Sequence, residues 1–124
     1  MPSASASADT PERWRVDAGA ADVAVLDIPA SAQRERVFEV DLRFVGRASA
    51  TAAKAWQAMT VDLNGVREWA RRIEMHAPGE TDTIDYHCRV TVPLGRALRV
   101  RAVTQVGGVQ RLRLVVEAEE AARP

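Results

Sequence analysis

The sequence has few of the residues that hold together disulfide-rich, membrane-spanning or metal-dependent proteins. Cys88 is the only cysteine, so the chain cannot close an internal disulfide and offers no pair of thiols to a metal ion. No apolar run approaches the about 20 residues that a membrane-spanning helix needs. Residues 1–13 carry neither a basic nor an apolar segment, so we expect no signal peptide and a cytoplasmic location.

Net charge is absent as well. The 17 basic residues balance 17 acidic ones, which argues against nucleic acid as the main partner, because domains that bind it are usually strongly basic. Lysine is nearly absent too, since every basic residue except Lys54 is an arginine. The planar guanidinium group binds carboxylates and phosphates through two parallel hydrogen bonds. The arginine bias therefore indicates either anion recognition or only the composition of a high-GC bacterial genome.

The 124 residues are enough for a single domain. The chain begins with Ser, Ala and Pro in no apolar period, so we predict a disordered or loosely attached tail over residues 1–20. Residues 21–120 are predicted to form one α+β domain, and residues 121–124 a frayed end.

Alternating apolar and polar residues predict strands on both sides of the middle of the chain. Residues 22–28 form a short β-rich run. Residues 36–46 and 83–92 alternate with a period of two. The apolar sides of these two longer runs hold Phe38, Val40, Leu42 and Phe44, and Ile84, Tyr86, Cys88, Val90 and Val92.

The middle of the chain has apolar residues at helical spacing. They are Ala52, Trp56, Met59, Leu63, Val66, Ala70 and Ile73. This stripe predicts one long helix. Asn64 and Gly65 interrupt it with residues that accept a positive φ, so a helix broken at this point is the alternative.

Residues 96–120 alternate on both sides of a glycine pair and predict a β-hairpin. A two-residue loop would mix apolar and polar residues on both faces, whereas a three-residue loop over 107–109 sets Val106 opposite Gln110 and separates them. One face then holds Leu98, Val100, Ala102, Thr104, Leu112, Leu114, Val116 and Ala118. The other face brings together Arg99, Arg101, Arg111 and Arg113.

Together these elements predict an α+β fold in two layers. We expect a mainly antiparallel sheet of about five strands, in the order β-β-α-β-β-β, with the one long or broken helix packed on one face.

The polar face of this sheet is the candidate binding site. Its arginines, which we assign to an anion or a protein partner, are Arg89, Arg99, Arg101, Arg111 and Arg113. The same face carries Glu39, Asp41, Arg43, Asp85 and His87. If strands with acidic residues lie beside strands with basic residues, cross-strand ion pairs account for the charged side chains of this face, and no binding partner is needed to explain them. Sheets that read RNA present stacking aromatic residues, which this face lacks because Tyr86 points inward.

Other chemistry is sparse. Residues of metal-ligand type are Glu74, His76, Asp85, His87 and Cys88. His87 and Cys88 are consecutive in a strand and point to opposite faces, so we assign no metal site. An inward-facing cysteine is typical of an inert core residue, and we assign no catalytic residue. No glycine-rich phosphate loop precedes a helix, so we assign no cofactor and do not expect an enzyme.

Residues 38–74, FEVDLRFVGRASATAAKAWQAMTVDLNGVREWARRIE, resemble the opening of the START/polyketide-cyclase (helix-grip) superfamily. In that superfamily a strand leads into two helices separated by a break. The residues in comparable places are Ala50, Trp56, Thr60, Leu63 and Trp69. The resemblance implies an apolar cavity between a curved sheet and helices, for a lipid-like or aromatic ligand. The chain departs from the family by having two strands before the helices and no long C-terminal helix. As a whole it resembles small proteins of high-GC proteobacteria, which implies no function.

Two functional hypotheses follow. The first is a non-enzymatic interaction module that meets a protein or anionic partner through the arginine-bearing sheet face or an open sheet edge. The second is a small carrier of a lipid-like or aromatic ligand. Its pocket between helix and sheet would be lined by Trp56, Met59, Trp69 and Tyr86, although plain core packing accounts for the same residues. The sequence does not determine strand order or oligomeric state.

Overall fold

The computed structural model describes residues 10–122, which form eight β-strands and no helix. The strands are β1 (Arg13–Asp17), β2 (Val23–Ile28), β3 (Arg36–Ala48), β4 (Ala55–Leu63), β5 (Val66–Met75), β6 (Thr81–Val92), β7 (Leu98–Gly107) and β8 (Val109–Glu120). This part of the chain therefore has no helix that could cross a membrane. Of the disordered or loosely attached tail predicted for residues 1–20, residues 1–9 lie outside the described range, while residues 13–17 form β1, which pairs with β8. Of the frayed end predicted for residues 121–124, residues 123–124 lie outside that range.

The strands form two four-stranded antiparallel sheets. Sheet I has the order β1-β8-β3-β6, and sheet II has the order β2-β7-β4-β5. Successive strands alternate between the sheets except at β4 and β5, which pair as a hairpin, so most connections cross from one layer to the other. Two facing sheets with this strand order form an eight-stranded jelly roll.

Alternate residues of the long strands point between the sheets and form one core. Sheet I contributes Phe38, Val40, Leu42, Phe44, Leu114 and Val116, and sheet II contributes Met59, Val61, Val100 and Ala102; each is at most 1% exposed. The inward and outward faces predicted for residues 36–46 and 83–92 are confirmed, because Leu42 and Val40 of β3 lie opposite Tyr86 and Cys88 of β6.

The segment predicted as a helix is a β-hairpin, so the predicted α+β class is wrong and the described chain is all-β. β4 and β5 pair around Asn64 and Gly65, whose φ angles are +49° and +80°. Left-handed conformations at both central residues are typical of the two-residue type I′ hairpin turn, for which Asn-Gly is a preferred sequence. The alternation in β4 is disguised because the polar Gln57 occupies a fully buried inward position.

The predicted hairpin around residues 107–109 is also wrong. β7 and β8 lie in different sheets, so that Val106 pairs with Gln57 of β4 and Val109 with Ala48 of β3. The chain crosses between the layers at Gly108, where φ is +63°. A Cβ there would come within 2.6 Å of the Lys54 carbonyl oxygen, so a close backbone approach adds to the need for glycine. The core residues predicted in β7, and Leu114, Val116 and Ala118 of β8, do point inward, but from opposite sheets. Leu112, also predicted to face the core, lies at a register shift of β8 and is not part of it.

The region that resembles the helix-grip superfamily also adopts strands. Residues 38–74 run through β3, β4 and β5, so the two helices implied by the resemblance are not formed.

A cluster of charged side chains joins the two ends of the described chain. Arg36, whose side chain is 2% exposed, donates to Glu12 Oε1 at 2.8 Å and to the Pro29 carbonyl oxygen at 2.8 Å. Arg34 bridges Glu12 and Glu120. The cluster fastens β1 and β8, which are paired in sheet I, to the connection between β2 and β3.

Candidate interaction surface

The structure distributes the five predicted arginines over three places. Arg99 and Arg101 lie on the outer face of sheet II, in β7. Arg89 and Arg113 lie on the outer face of sheet I, in β6 and β8. Arg111 points between the sheets. The arginines therefore do not form one surface, because the strands that carry them belong to different layers.

A β-bulge turns Arg111 inward. The register of β3 with β8 shifts after Val45, so that Gly46, on the inner face of β3, lies opposite Arg111. The guanidinium group reaches β7 in the other sheet and donates to Thr104 Oγ1 at 3.0 Å and to the Thr104 carbonyl oxygen at 3.1 Å. Arg111 therefore ties the sheets together at this end of the sandwich.

The outer face of sheet I is covered by charged side chains that pair with one another. Arg89 lies 2.7 Å from Glu39, and Arg113 lies 2.6 Å from Asp17. The remaining pairs join Arg13 to Glu119, Arg15 to Asp17 and Glu117, and Arg43 to Asp85. The hydrogen bond from Arg113 is the main reason that the pKa of Asp17 is lowered. The charges of this face are thus compensated within the face itself.

His87 lies between two carboxylates of this face. Its Nδ1 is 2.8 Å from Asp41 Oδ1, and its Nε2 is 2.7 Å from Glu39 Oε2. Only the doubly protonated imidazolium can donate from both ring nitrogens. The hydrogen bond with Asp41 is the main cause that raises the pKa of His87. The resulting cation balances an acidic centre, where Glu39 and Asp41 lie opposite Glu119 and Glu117 of β8.

The middle of the sheet I face is concave and forms an open groove of about 580 Å³. Its charged lining residues are Arg15, Asp41, Arg43, Asp85, His87, Arg113 and Glu117. Both signs of charge are present and already paired, so a charged ligand would have to displace existing ion pairs in order to bind there.

The outer face of sheet II differs because its middle is uncharged. The strand register places Val23, Val103, Thr60 and Ala70 in one row across all four strands. Val25, Ala58 and Gln105 adjoin this row. We call these seven residues the neutral strip. All are half-buried or exposed, and Val25 is among the most exposed large apolar side chains of the described chain.

One side of the neutral strip ends in two arginines that share one carboxylate. Arg67 Nε donates to Asp62 Oδ1 at 2.9 Å, whereas Arg101 lies 3.8 Å from Asp62 Oδ2. The Asp62 side chain is only 17% exposed, while that of Arg101 is 48% exposed. Arg99 differs, because it holds both carboxylate oxygens of Asp27, at 2.7 and 3.2 Å. One positive charge is therefore left over beside the strip, and Arg101 is the less tightly held of the two guanidinium groups.

The other side of the strip ends at Trp56. The guanidinium carbon of Arg72 lies 4.1 Å from the centroid of the Trp56 ring, a cation–π contact. The indole also lies over Gly107 of the neighbouring strand, where a Cβ would come within 2.1 Å of Trp56 Nε1. Tryptophan and arginine are the side chains most enriched among those that dominate protein interfaces.

The four residues predicted to line an apolar pocket do not share one. Met59 is fully buried in the core, while Trp56 points outward from the opposite face of the same strand. Trp69 and Tyr86 stack with their ring centroids 4.5 Å apart and pack against the core where the edges of the two sheets meet. The Tyr86 hydroxyl donates to Glu68 at 2.7 Å, which is the main cause that raises the pKa of Tyr86 to about 12.

The cysteine has the properties of a packed side chain. Burial is the main cause that raises the pKa of Cys88 to about 11, so the thiol is protonated near neutral pH and is a poor nucleophile. Across residues 10–122, no three His, Cys, Asp or Glu side chains gather in a way that could hold a metal ion.

No protein-family model and no curated protein sequence matches the chain. Among solved structures, it is similar to part of the dimeric latent PorU from Porphyromonas gingivalis, with 16% identity and a TM-score of 0.52 over 86% of this chain. It is also similar to part of the mosquito-larvicidal Cry4Aa toxin from Bacillus thuringiensis, with 11% identity and a TM-score of 0.49 over 85% of this chain.

A family 35 carbohydrate binding module from Clostridium thermocellum matches over 86% of this chain and 97% of its own, with 12% identity and a TM-score of 0.40. By contrast, the chain spans 10% of the PorU chain and 19% of the Cry4Aa chain. At the identity it has with PorU, the likeness shows the fold alone.

Proposed function

We propose that the protein is a non-enzymatic interaction module that binds a protein partner through the outer face of sheet II. The observation that carries the proposal is the contrast between the two outer faces. Sheet I is covered by mutually paired charges, whereas sheet II has a neutral strip that crosses all four strands.

The free-energy cost of desolvation is lower if a partner covers the outer face of sheet II than if it covers that of sheet I. Burying an ion pair costs the hydration of two charges, which the attraction between them often fails to offset. A partner on sheet I would have to bury many such pairs. A partner on the neutral strip buries small apolar and uncharged side chains and leaves most charges at the margin, which is the usual layout of a protein interface.

The charges beside the strip favour a partner with an acidic group. Arg67 and Arg101 share Asp62 as their carboxylate partner, so a second carboxylate supplied by the partner can bind Arg101 without breaking a short ion pair. A guanidinium group binds a carboxylate through two parallel hydrogen bonds, which also fixes the orientation of the partner.

The open sheet edge is less suited to a partner. β1 and β2 are short, with five and six residues. On edge strand β5, Arg71 lies opposite the inward-facing Met59 and is exposed, and an inward-pointing charge on an edge strand discourages pairing with another chain. The edge of β6 is partly covered by the contact between Tyr86 and Glu68.

Site-specific photocross-linking in cells tests the proposal. A photoreactive phenylalanine analogue is placed at Thr60 in the neutral strip or, as a matched control, at Thr83 in β6 of sheet I. We expect a discrete heterologous cross-link from position 60 and none from position 83. A discrete cross-link from position 83 alone, or from position 60 to a second copy of this chain, would contradict the proposal.

Charge reversal then tests the role of Arg101. We expect Arg101→Glu to reduce the cross-link at least tenfold, and Arg43→Glu on sheet I to leave it unchanged. An Asp-to-Arg or Glu-to-Arg change at the cross-linked site of the partner should restore binding to the Arg101→Glu protein. If Arg101→Glu binds as well as the unmodified chain, the acidic partner is ruled out.

A further inference from the structure

One end of the sandwich has an apolar pocket that neither sheet face includes. It is an open cavity of about 320 Å³ between the β4–β5 turn and the connection from β6 to β7. Its apolar lining includes Leu63, Val90, Val92 and Leu98. These side chains belong to the inner faces of their strands and touch or form part of the core, so the pocket is the place where the core opens to solvent.

The walls of this pocket are held in place by hydrogen bonds. Asn64 Nδ2 donates to the Ala97 carbonyl oxygen at 3.2 Å, and the Arg99 backbone N–H donates to Asn64 Oδ1 at 2.7 Å. The Asn64 backbone N–H donates in turn to the Arg99 carbonyl oxygen at 2.9 Å. The hairpin turn is thus tied to the opposite wall, and the cavity is formed before any ligand arrives.

The pocket carries one charge and no counter-charge. Arg96 is the single charged residue of its lining, which contains no Asp or Glu. Within the described part of the chain, Arg96 forms no ion pair with any carboxylate. This is unlike the sheet I groove, whose arginines are paired.

We propose that this pocket binds a small amphipathic anion, an aliphatic carboxylate of short to medium chain length. The chain would pack on Leu63, Val92 and Leu98, and the carboxylate would bind the Arg96 guanidinium at the mouth. The cavity lies at the lower end of the about 300–1,000 Å³ that is usual for small-molecule sites, which favours a short chain over a long lipid. The inference is independent of the proposed protein partner, because it rests on a different surface.

Titration of the full chain with hexanoate, octanoate and 1-octanol, followed by calorimetry and by the methyl resonances of the lining residues, tests the proposal. Each methylene buried should tighten binding about fourfold until the pocket is full. 1-Octanol, which has the same chain length but no charge, should bind at least tenfold more weakly than octanoate. Absence of octanoate binding at millimolar concentration would overturn the proposal, as would equal binding of the alcohol.

Two variants test the location. Arg96→Gln should weaken octanoate binding about tenfold or more, because a charge-assisted hydrogen bond is lost. Ala97→Trp, at an exposed position in the lining, should block the pocket without disturbing the core.

The control is Arg71→Gln, since Arg71 is exposed and likewise forms no ion pair within residues 10–122. Equal weakening by Arg71→Gln would show nonspecific attraction and overturn the site. Arg101→Glu should leave octanoate binding intact, which separates this test from that of the partner surface.

Discussion

At the scale of single residues, His87 shows how the cross-strand register determines a charge. β3 and β6 pair so that Glu39 and Asp41 both reach one imidazole ring, and the ring accommodates them by carrying two protons. A neutral ring would direct a lone pair at one of the carboxylates. The ion pairs around it are exposed, so the effect is on the charge of the sheet I face more than on the stability of the fold.

The raised pKa of His87 determines the sign of its contribution to the pH dependence of the free energy of unfolding. Because its pKa is raised in the folded protein, its contribution to the free energy of unfolding is full below the unfolded pKa of about 6.5 and disappears as the pH rises through the folded pKa. We expect His87→Gln to destabilise the protein slightly at about pH 5.5 and not at alkaline pH.

NMR titration of the ring measures the same effect directly. The His87 midpoint should lie above about 6.5 and fall in Asp41→Asn, which removes the charge of the partner whose hydrogen bond is the main cause of the raised pKa. A midpoint at or below the value of a free histidine would contradict this geometry.

At the scale of elements, the β4–β5 hairpin depends on its turn. Gly65 has a φ of +80°, and a Cβ added there would meet no atom within 4 Å. Gly65→Ala therefore isolates the backbone cost of a left-handed conformation and should lower the free energy of unfolding by about 1–2 kcal/mol. Gly65→Asn should cost less, since asparagine tolerates this region better. Urea unfolding measures both, and equal stability of the alanine variant would argue against the turn.

The same hairpin shows where prediction from sequence failed. β3 and β6 alternate cleanly, and their faces were predicted correctly. In β4, the polar residue Gln57 is buried at a position where alternation would place an apolar residue. β5 is an edge strand whose alternation is weak: Arg71 is exposed at an inward position, and the register shifts opposite Val61. The apolar residues that remained fell by chance at helical spacing. The Asn64–Gly65 pair was the signal that would have corrected the interpretation.

The wrong assignment of β4 and β5 as a helix also affected the prediction of the candidate surfaces. Once β4 and β5 are read as strands, Ala58, Thr60 and Ala70 fall on one outer face as small uncharged residues, which is the local signal of the neutral strip. The position of Arg101 on the same face depends on β7 pairing with β4. That pairing joins strands separated in sequence by two others, and alternation within a strand does not reveal which strand lies beside it.

At the scale of the whole molecule, the separation of β7 from β8 has the largest consequence. A hairpin would have gathered Arg99, Arg101 and Arg113 on one face, whereas the crossover places them on opposite sides of a sandwich. Glycines at residues 107 and 108 are compatible with both outcomes, since each needs a sharp change of direction. Strand order in a jelly roll is decided by the packing of two complete sheets, which no local pattern records.

The charged cluster at the chain ends is the other whole-molecule feature, because it joins segments more than 80 residues apart. Arg36 is almost fully buried, and its loss would leave the partly buried Glu12 and the Pro29 carbonyl oxygen without this donor. Removing one partner of a buried ion pair costs about 3–5 kcal/mol. We expect Arg36→Met to lower the free energy of unfolding by about 3 kcal/mol, since methionine keeps much of the packing volume.

Arg43→Met is the matched control. Arg43 also pairs with a carboxylate, that of Asp85 at 2.9 Å, but its side chain is 64% exposed, so its loss should change the free energy of unfolding by less than about 1 kcal/mol. Both variants are compared by urea unfolding, with hydrogen exchange of β1 as a local probe. If the cluster fastens the sandwich, β1 amides exchange faster in Arg36→Met and not in Arg43→Met. Equal losses in the two variants would mean that burial adds nothing to this ion pair and that the closing of the sandwich rests on apolar packing alone.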